Sequence, residues 1–103
     1  MSTEKLHRER VFVLGADYND ARLVAQRHPA VKGQEVSVLS AAAHRLTILG
    51  SVGGAHVRTV YVTPNAHRGE HYDLARQALQ VCIDRAGGQI VHLDAEGGTY
   101  AAL

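Results

Sequence analysis

The chain has 103 residues, of which 46% are hydrophobic and 20% are charged, and these values predict one globular domain with a single core rather than a disordered segment. A formal net charge of +1 is too small for a protein that binds nucleic acid mainly by electrostatic attraction. The only cysteine, Cys82, excludes an intrachain disulfide and a cysteine-rich metal site.

The sequence predicts three regions along the chain. We expect residues 1–9 to be a flexible leader, residues 10–94 to form a single α/β domain, and residues 95–103 to be a loosely held tail. The leader is polar and has no apolar run, so no signal peptide is predicted. No stretch reaches the roughly 18 apolar residues that a membrane span needs. We therefore expect a cytoplasmic protein with no membrane partner.

The first predicted strand and helix have clear local signals. Residues 11–14 are an unbroken apolar run closed by Gly15, which is typical of a strand buried on both faces of a parallel sheet. Asp17 is a candidate N-cap for the helix that follows, and Pro29 ends that helix. Leu23 lies on the polar side of the helix. It is either an ordinary exposed leucine or part of a contact patch.

The middle of the chain is less regular. Residues 36–39 alternate in part and predict a second strand at an edge of the sheet. After it, residues 41–46 could form a helical turn and residues 47–49 a very short strand, and the glycines that follow predict a flexible loop. Residues 57–63 predict a third strand, which is ended by a proline.

The strongest helical pattern lies in the last third of the chain. It starts at His67 or Glu70 and is closed by Gly87, which can adopt the left-handed conformation at a helix end. Helical periodicity predicts one broad apolar face toward the sheet, which consists of Leu74, Ala75, Ala78, Leu79, Val81, Cys82 and Ile83. The same periodicity makes Cys82 a packing residue on that side.

Residues 89–93 predict the last strand and complete the fold. The order of elements predicts an α/β three-layer sandwich around a mostly parallel sheet of four strands, or of five if residues 46–49 form one. This architecture is Rossmann-like, or P-loop-like and trimmed of its phosphate loop. Two firm helices would cover four strands incompletely, so we expect self-association as a homo-oligomer or a protein partner.

Polar residues follow the predicted strands, where open parallel sheets bind their ligands. The candidate ligand-binding residues are Gly15, Asp17, Thr63, Asn65, His67 and His71. Asp17, His67 and His71 are also the candidates for acid–base catalysis. A phosphate loop is not predicted after the first strand, because only Gly15 and Ala16 precede Asp17 and its carboxylate would repel a phosphate.

The string His67-Arg68-Gly69-Glu70-His71 matches H-x-x-E-H, the inverted zinc-protease pattern. It can hold zinc only if both histidines share one helical face and a third ligand comes from elsewhere. Gly69 in the first turn and the short chain argue against that, so we expect no metal and no cofactor. We expect His71 instead to face the sheet and to bond a strand-end carbonyl or Asp17.

The layout between residues 11 and 93 resembles small α/β proteins of actinobacterial phages. The resemblance is carried by VFVLG with the helix Asp20-Ala21-Arg22, by RTVYVTP, and by a long helix that runs into QIVHLD. Such proteins are similar to a nucleotide-hydrolase sheet without its phosphate loop. The resemblance implies no activity, and for a phage-encoded protein it implies a location in the host cytoplasm.

These observations predict a non-enzymatic α/β protein-interaction module, a small phage protein that binds a host or self partner through its sheet edge, Leu23 or a thinly covered face. Two alternatives stay open: a ligand- or nucleotide-binding protein that uses the carboxyl ends of the parallel strands, and a small hydrolase at the same edge. The His-Arg pairs at 44–45 and 67–68 would form a basic patch only if the fold brings them together. Nucleic acid is not an expected partner.

Overall fold

The computed structural model describes residues 9–52 and 56–101. The elements are β1 (Glu9–Gly15), α1 (Tyr18–Arg27), β2 (Ser37–Ser40), α2 (Arg45–Val52), β3 (His56–Val62), α3 (Pro64–Arg68), α4 (Tyr72–Ala86), β4 (Gln89–Leu93) and β5 (Thr99–Ala101). The strands form one five-stranded sheet in the order β2-β1-β3-β4-β5. β1 to β4 are parallel, and β5 is antiparallel to β4. The predicted α/β, Rossmann-like sandwich with a mostly parallel sheet is confirmed.

The central strand β1 supplies side chains to both cores, because alternate residues of a strand point to opposite faces. Val13 belongs to the core under α1, together with Leu93. Phe12 and Leu14 belong to the larger core, to which α2, α3 and α4 contribute. This arrangement explains the unbroken apolar run at residues 11–14, since neither face of β1 meets solvent.

The face under α1 has the thinner cover of the two. α1 is the single helix among the described residues of that core. Val38, Tyr61 and Val91 are only half-buried, although Val38 and Tyr61 pack against it. On the opposite face, the helices leave the central residues of β3 buried.

The helix predicted from His67 or Glu70 is in fact two helices. Thr63 caps α3, and Pro64 takes its first helical position, where the missing N–H costs nothing. α3 ends at Arg68, and α4 starts only at Tyr72. Gly87 ends α4 with φ 74°, as predicted.

The predicted inward face of α4 is correct for Ala75, Ala78, Leu79 and Ile83, which are buried, and wrong for Leu74 and Val81. Leu74 and Val81 are 63% and 55% exposed instead of facing the sheet. The buried side of α4 consists of Tyr72, Ala75, Ala78, Leu79 and Ile83, and Leu74 and Val81 lie at its margin. Alanines on this side let the helix approach the sheet closely, and the larger aliphatic residues at 74 and 81 are left in solvent.

Two further segments differ from the predictions. Residues 45–52 form one helix, α2, instead of a turn at 41–46 and a strand at 47–49, because Ile48 and Val52 bury one side of it with helical spacing. Residues 99–101 form β5 and are therefore not a loose tail. Glu9 belongs to β1 rather than to the leader.

The rest of the predicted leader, residues 1–8, and the glycines at 53 and 54 lie outside the described residues. Within the described ranges, no helix is long and apolar enough to cross a membrane.

Candidate functional site

The strand order creates a crevice at the carboxyl ends of β1 and β3. β2 lies on one side of β1 and β3 on the other, so the chain leaves β1 and β3 in opposite directions. In sheets with the order 2-1-3-4-5, this switch point is where ligands bind. Here it is formed by the loop after β1 and by the turn from β3 into α3.

The carboxylate of Asp20 joins these two loops. Its Oδ2 accepts hydrogen bonds from the backbone N–H of Ala16, at 2.8 Å, and from the hydroxyl of Thr63, at 2.6 Å. Its Oδ1 accepts a hydrogen bond from the side-chain amide of Asn65, at 3.0 Å. We call Ala16, Asp20, Thr63 and Asn65 the Asp20 clamp. Thr63 is completely buried and also caps α3 by accepting from Ala66 N, at 3.0 Å.

The clamp occupies donors that a phosphate would otherwise use. In dinucleotide-binding folds, backbone N–H groups at the start of the helix after the first strand hold the pyrophosphate. Here Asp20 takes the N–H of Ala16, and Asp17 takes the N–H of Asp20 at 2.8 Å as the predicted N-cap. The chain's own carboxylates therefore satisfy these two donors.

Gly15 lets α1 lie directly against the end of β1. A Cβ atom at this position would lie 2.3 Å from the backbone nitrogen of Ala21 and 2.6 Å from the carbonyl oxygen of Asp17. Only a residue without a side chain allows this close approach. Gly15 therefore allows the tight turn from β1 into α1, and this turn carries Ala16 and Asp20 of the clamp.

The six candidate ligand-binding residues separate into two groups. Gly15, Asp17, Thr63 and Asn65 lie at or beside the clamp. His67 and His71 lie apart from these four, because the last turn of α3 and the break at Gly69 carry them away from the switch point. Asp20 was not among the site residues predicted from the sequence. Its position three residues after the N-cap was the only local signal.

His67 belongs to a small aromatic cluster on the α4 side of the sheet. Its ring stacks on that of His92, with 4.2 Å between centroids, and meets the ring of Tyr72 edge-on at 5.1 Å. The Tyr72 hydroxyl lies 2.6 Å from Nε2 of His92, and both residues are buried. Burial, helped by the nearby His67 and Arg76, lowers the pKa of His92 below its ordinary value. Tyr72 and His92 therefore share a buried hydrogen bond beside the ring of His67.

His71 does not face the sheet, and this prediction is wrong. It precedes α4 instead of lying within it, and its side chain is 55% exposed. Its Nε2 is 3.7 Å from Oε1 of Glu70, which is itself in solvent. His67 and His71 are on different elements, so they do not share a helical face as zinc binding would require. Among the described residues, no group of three or more His, Cys, Asp or Glu side chains could hold a metal ion.

Among the described residues, a cavity lies at the carboxyl edge on each face of the sheet. The first, which we call the mixed cleft, is open to solvent, has a volume of about 490 Å³ and lies between α1, α3 and the β4–β5 turn. It is lined by Leu23, Val24, Arg27, His28, Pro29, Pro64, Asn65, Arg68 and residues 94–97. Two arginines and two carboxylates, Asp94 and Glu96, are thus among its lining residues.

A buried histidine connects two walls of the mixed cleft. Nδ1 of His28 accepts a hydrogen bond from Ala30 N, at 3.1 Å, which places the imidazole proton of the neutral ring on Nε2. Nε2 then donates to the carbonyl oxygen of Asp94, at 2.9 Å. The end of α1 is thereby tied to the β4–β5 turn.

The second cavity, which we call the basic pocket, has a volume of about 300 Å³ and lies between the end of β2 and the starts of α2 and α4. Its lining is Ala41, Ala43, His44, Arg45, Ile48, His71, Leu74 and Ala75. No Asp or Glu is among these residues. The fold therefore brings the pair His44-Arg45 together with His71, whereas Arg68 lies in the mixed cleft.

No protein-family model matches the sequence, and no curated protein or solved structure matches it. Any function therefore has to be inferred from the geometry of these cavities.

Proposed function

We propose that the chain is a protein-interaction module that holds a segment of a partner protein in the mixed cleft. The observation that carries this proposal is an open cleft of about 490 Å³ that combines exposed apolar side chains with charges of both signs. Binding pockets commonly enclose roughly 300–1,000 Å³ and have apolar walls with a few polar groups. The cleft has these properties.

The apolar part of the cleft centres on Leu23. This side chain is 38% exposed on α1, and Pro29, Pro64 and Ala95 are also in the lining. An apolar side chain of a partner would be removed from water here, at a gain of about 25 cal/mol for each Å² buried. The cleft thus explains the leucine that the sequence places on the polar side of α1.

The charged part of the cleft has no ion-pair partner among the described residues, and Oδ1 of Asp94 accepts a hydrogen bond from Glu96 N, at 2.8 Å. Among the described residues, Arg27, Arg68, Asp94 and Glu96 form no ion pair, and the one side-chain hydrogen bond of Arg68 is donated to Oδ1 of Asn65, at 3.0 Å. A segment with one apolar residue between an acidic and a basic residue would complement this lining. Charges at the rim of an interface contribute mainly to specificity and to the rate of association.

The walls of the cleft are held in place before a partner arrives. The Asp20 clamp fixes α3 against the start of α1, and His28 fixes the end of α1 against Asp94. A preformed surface loses less conformational entropy on binding, which increases affinity. The clamp also favours the interaction module over a nucleotide-binding protein or a hydrolase, because Asp17 and Asp20 occupy backbone donors at the switch point.

Selection from a random peptide library with the full chain as bait tests the proposal. We expect the selected peptides to carry an apolar residue flanked by charges of opposite sign. Leu23→Asp should weaken their binding by about tenfold or more, which corresponds to roughly 1.4 kcal/mol for the loss of a central apolar contact. Leu46→Asp is the matched control, because Leu46 is 66% exposed on α2 and does not line the cleft.

The outcomes that contradict the proposal are equally specific. Selection without binding peptides, or peptides that lose affinity equally in both variants, would place recognition outside the cleft. Sedimentation of the wild-type chain identifies a second copy as the partner if self-association is present and Leu23→Asp alone abolishes it.

A further inference from the structure

The basic pocket differs from the rest of the carboxyl edge in the charges around it. Three basic side chains, those of His44, Arg45 and His71, line a cavity that has no carboxylate in its lining. It lies on the face of the sheet opposite to α1, so it is separate from the mixed cleft. Its volume of about 300 Å³ is at the lower end of the range for small-molecule sites.

The polar groups of the pocket are available as donors. Nδ1 of His44 accepts a hydrogen bond from Leu46 N, at 3.1 Å, so the proton of the neutral ring is on Nε2 and can be donated in either charge state. Within the described ranges, Arg45 makes no side-chain hydrogen bond or ion pair. The contact of His71 with Glu70 is long and solvent-exposed, and such pairs contribute little.

The backbone adds positive potential in the same place. α4 begins at Tyr72, and its N-cap residue His71 makes no side-chain cap hydrogen bond. α2 begins at Arg45, another lining residue. The first turn of a helix carries partial positive charge on its free N–H groups. These dipoles add to the three basic side chains that surround the cavity.

We propose that the basic pocket binds a small phosphate monoester. Arg45, His44 and His71 hold the phosphate, because a guanidinium group and imidazole N–H groups donate charge-assisted hydrogen bonds to phosphate oxygens. The organic part of the ligand lies against Ile48 and Leu74, the larger apolar residues of the lining. This site accounts for the exposure of Leu74, which lies at its rim, and it is independent of the proposed interaction surface.

Titration of the full chain with phenyl phosphate, inorganic phosphate and benzyl alcohol tests the site, with backbone amide shifts as the readout. We expect phenyl phosphate to bind most tightly and to shift the amides of residues 44–48 and 71–75. Arg45→Gln should weaken phenyl phosphate binding by about tenfold or more, since it removes a charge-assisted hydrogen bond. Arg22→Gln is the control, because Arg22 is exposed on α1 and the change in net charge is the same.

Several outcomes would overturn the assignment. One is equal weakening by Arg22→Gln and Arg45→Gln, which would indicate attraction by net charge alone. Another is the absence of shifts around the pocket at millimolar phenyl phosphate. Benzyl alcohol that binds as tightly as phenyl phosphate would show that the phosphate group is not recognised. Both arginines are exposed, so an unchanged melting temperature verifies that each variant is folded.

Discussion

The Asp20 clamp and the basic pocket lie at the same carboxyl edge of the sheet, but they satisfy their polar groups in opposite ways. In the clamp, donors from the loop after β1 and from the β3–α3 turn meet a carboxylate of the same chain. In the basic pocket, His44, Arg45 and His71 surround a cavity whose lining has no carboxylate. The first arrangement stabilises the fold, and the second leaves donors for a ligand. We therefore expect substitutions at the clamp to reduce stability and substitutions at the pocket to reduce binding.

The largest effect is expected where the clamp is built on a close backbone contact. Gly15→Ala places a Cβ atom 2.3 Å from the backbone of Ala21, so α1 must move away from β1. We expect a loss of about 3 kcal/mol or more in the free energy of unfolding, measured with urea. Gly50→Ala is the control on α2, where no atom lies within 4 Å of the added Cβ. It should increase stability by about 0.5–1 kcal/mol. Equal stabilities of the two variants would contradict the role of Gly15.

Removal of the clamp carboxylate should have the next largest effect. Asp20→Ala removes three acceptor contacts and leaves the buried hydroxyl of Thr63 without that acceptor. We expect a loss of about 2–3 kcal/mol in urea unfolding. Asp17→Ala removes only the N-cap of α1 and should cost about 1 kcal/mol. If Asp20→Ala reduced the free energy of unfolding no more than Asp17→Ala, the hydrogen bonds of Asp20 to the two loops would not be the stabilising contacts that we infer.

A smaller effect is expected from His92 in β4, whose ring contacts Tyr72 on the α4 side of the sheet. Its pKa is lowered in the folded protein by burial, by His67 and by Arg76. Below about pH 6.5 the unfolded chain therefore binds a proton that the folded chain does not yet bind, and stability falls as the pH decreases. His92→Gln should flatten the decrease in unfolding free energy between pH 7.5 and pH 5.5. An unchanged pH profile in this variant would show that other groups cause the decrease.

The smallest effect on stability is expected from His71, in the basic pocket. His71→Leu should change the free energy of unfolding by no more than about 0.5 kcal/mol, because the side chain is more than half exposed. If the pocket binds phosphate monoesters, the same variant should weaken phenyl phosphate. A large loss of stability would show that His71 is a packing residue, as the sequence suggested.

Sequence patterns located the edge of the sheet that carries both cavities, but not the partners of its residues. Asp17 and Gly87 were predicted correctly because a helix N-cap and a left-handed C-terminal glycine depend on neighbours within a few residues. The role of Asp20 was missed because Thr63 and Asn65 are more than 40 residues away along the chain. The helical periodicity of α4 correctly predicted that Ala75, Ala78, Leu79 and Ile83 are buried. It also included Leu74 and Val81, because residues at the margin of an apolar face are buried or exposed according to the elements that pack beside them.

The sequence by itself determined the α/β class, the buried central strand and most strand positions, since unbroken apolar runs and helix caps are local signals. Only the tertiary structure decided that Asp20 closes the switch point and that His71 joins His44 and Arg45 instead of His67. It also decided that residues 99–101 add a fifth strand. Each of these contacts joins residues distant along the chain, and they meet only because strand order and helix packing bring them together.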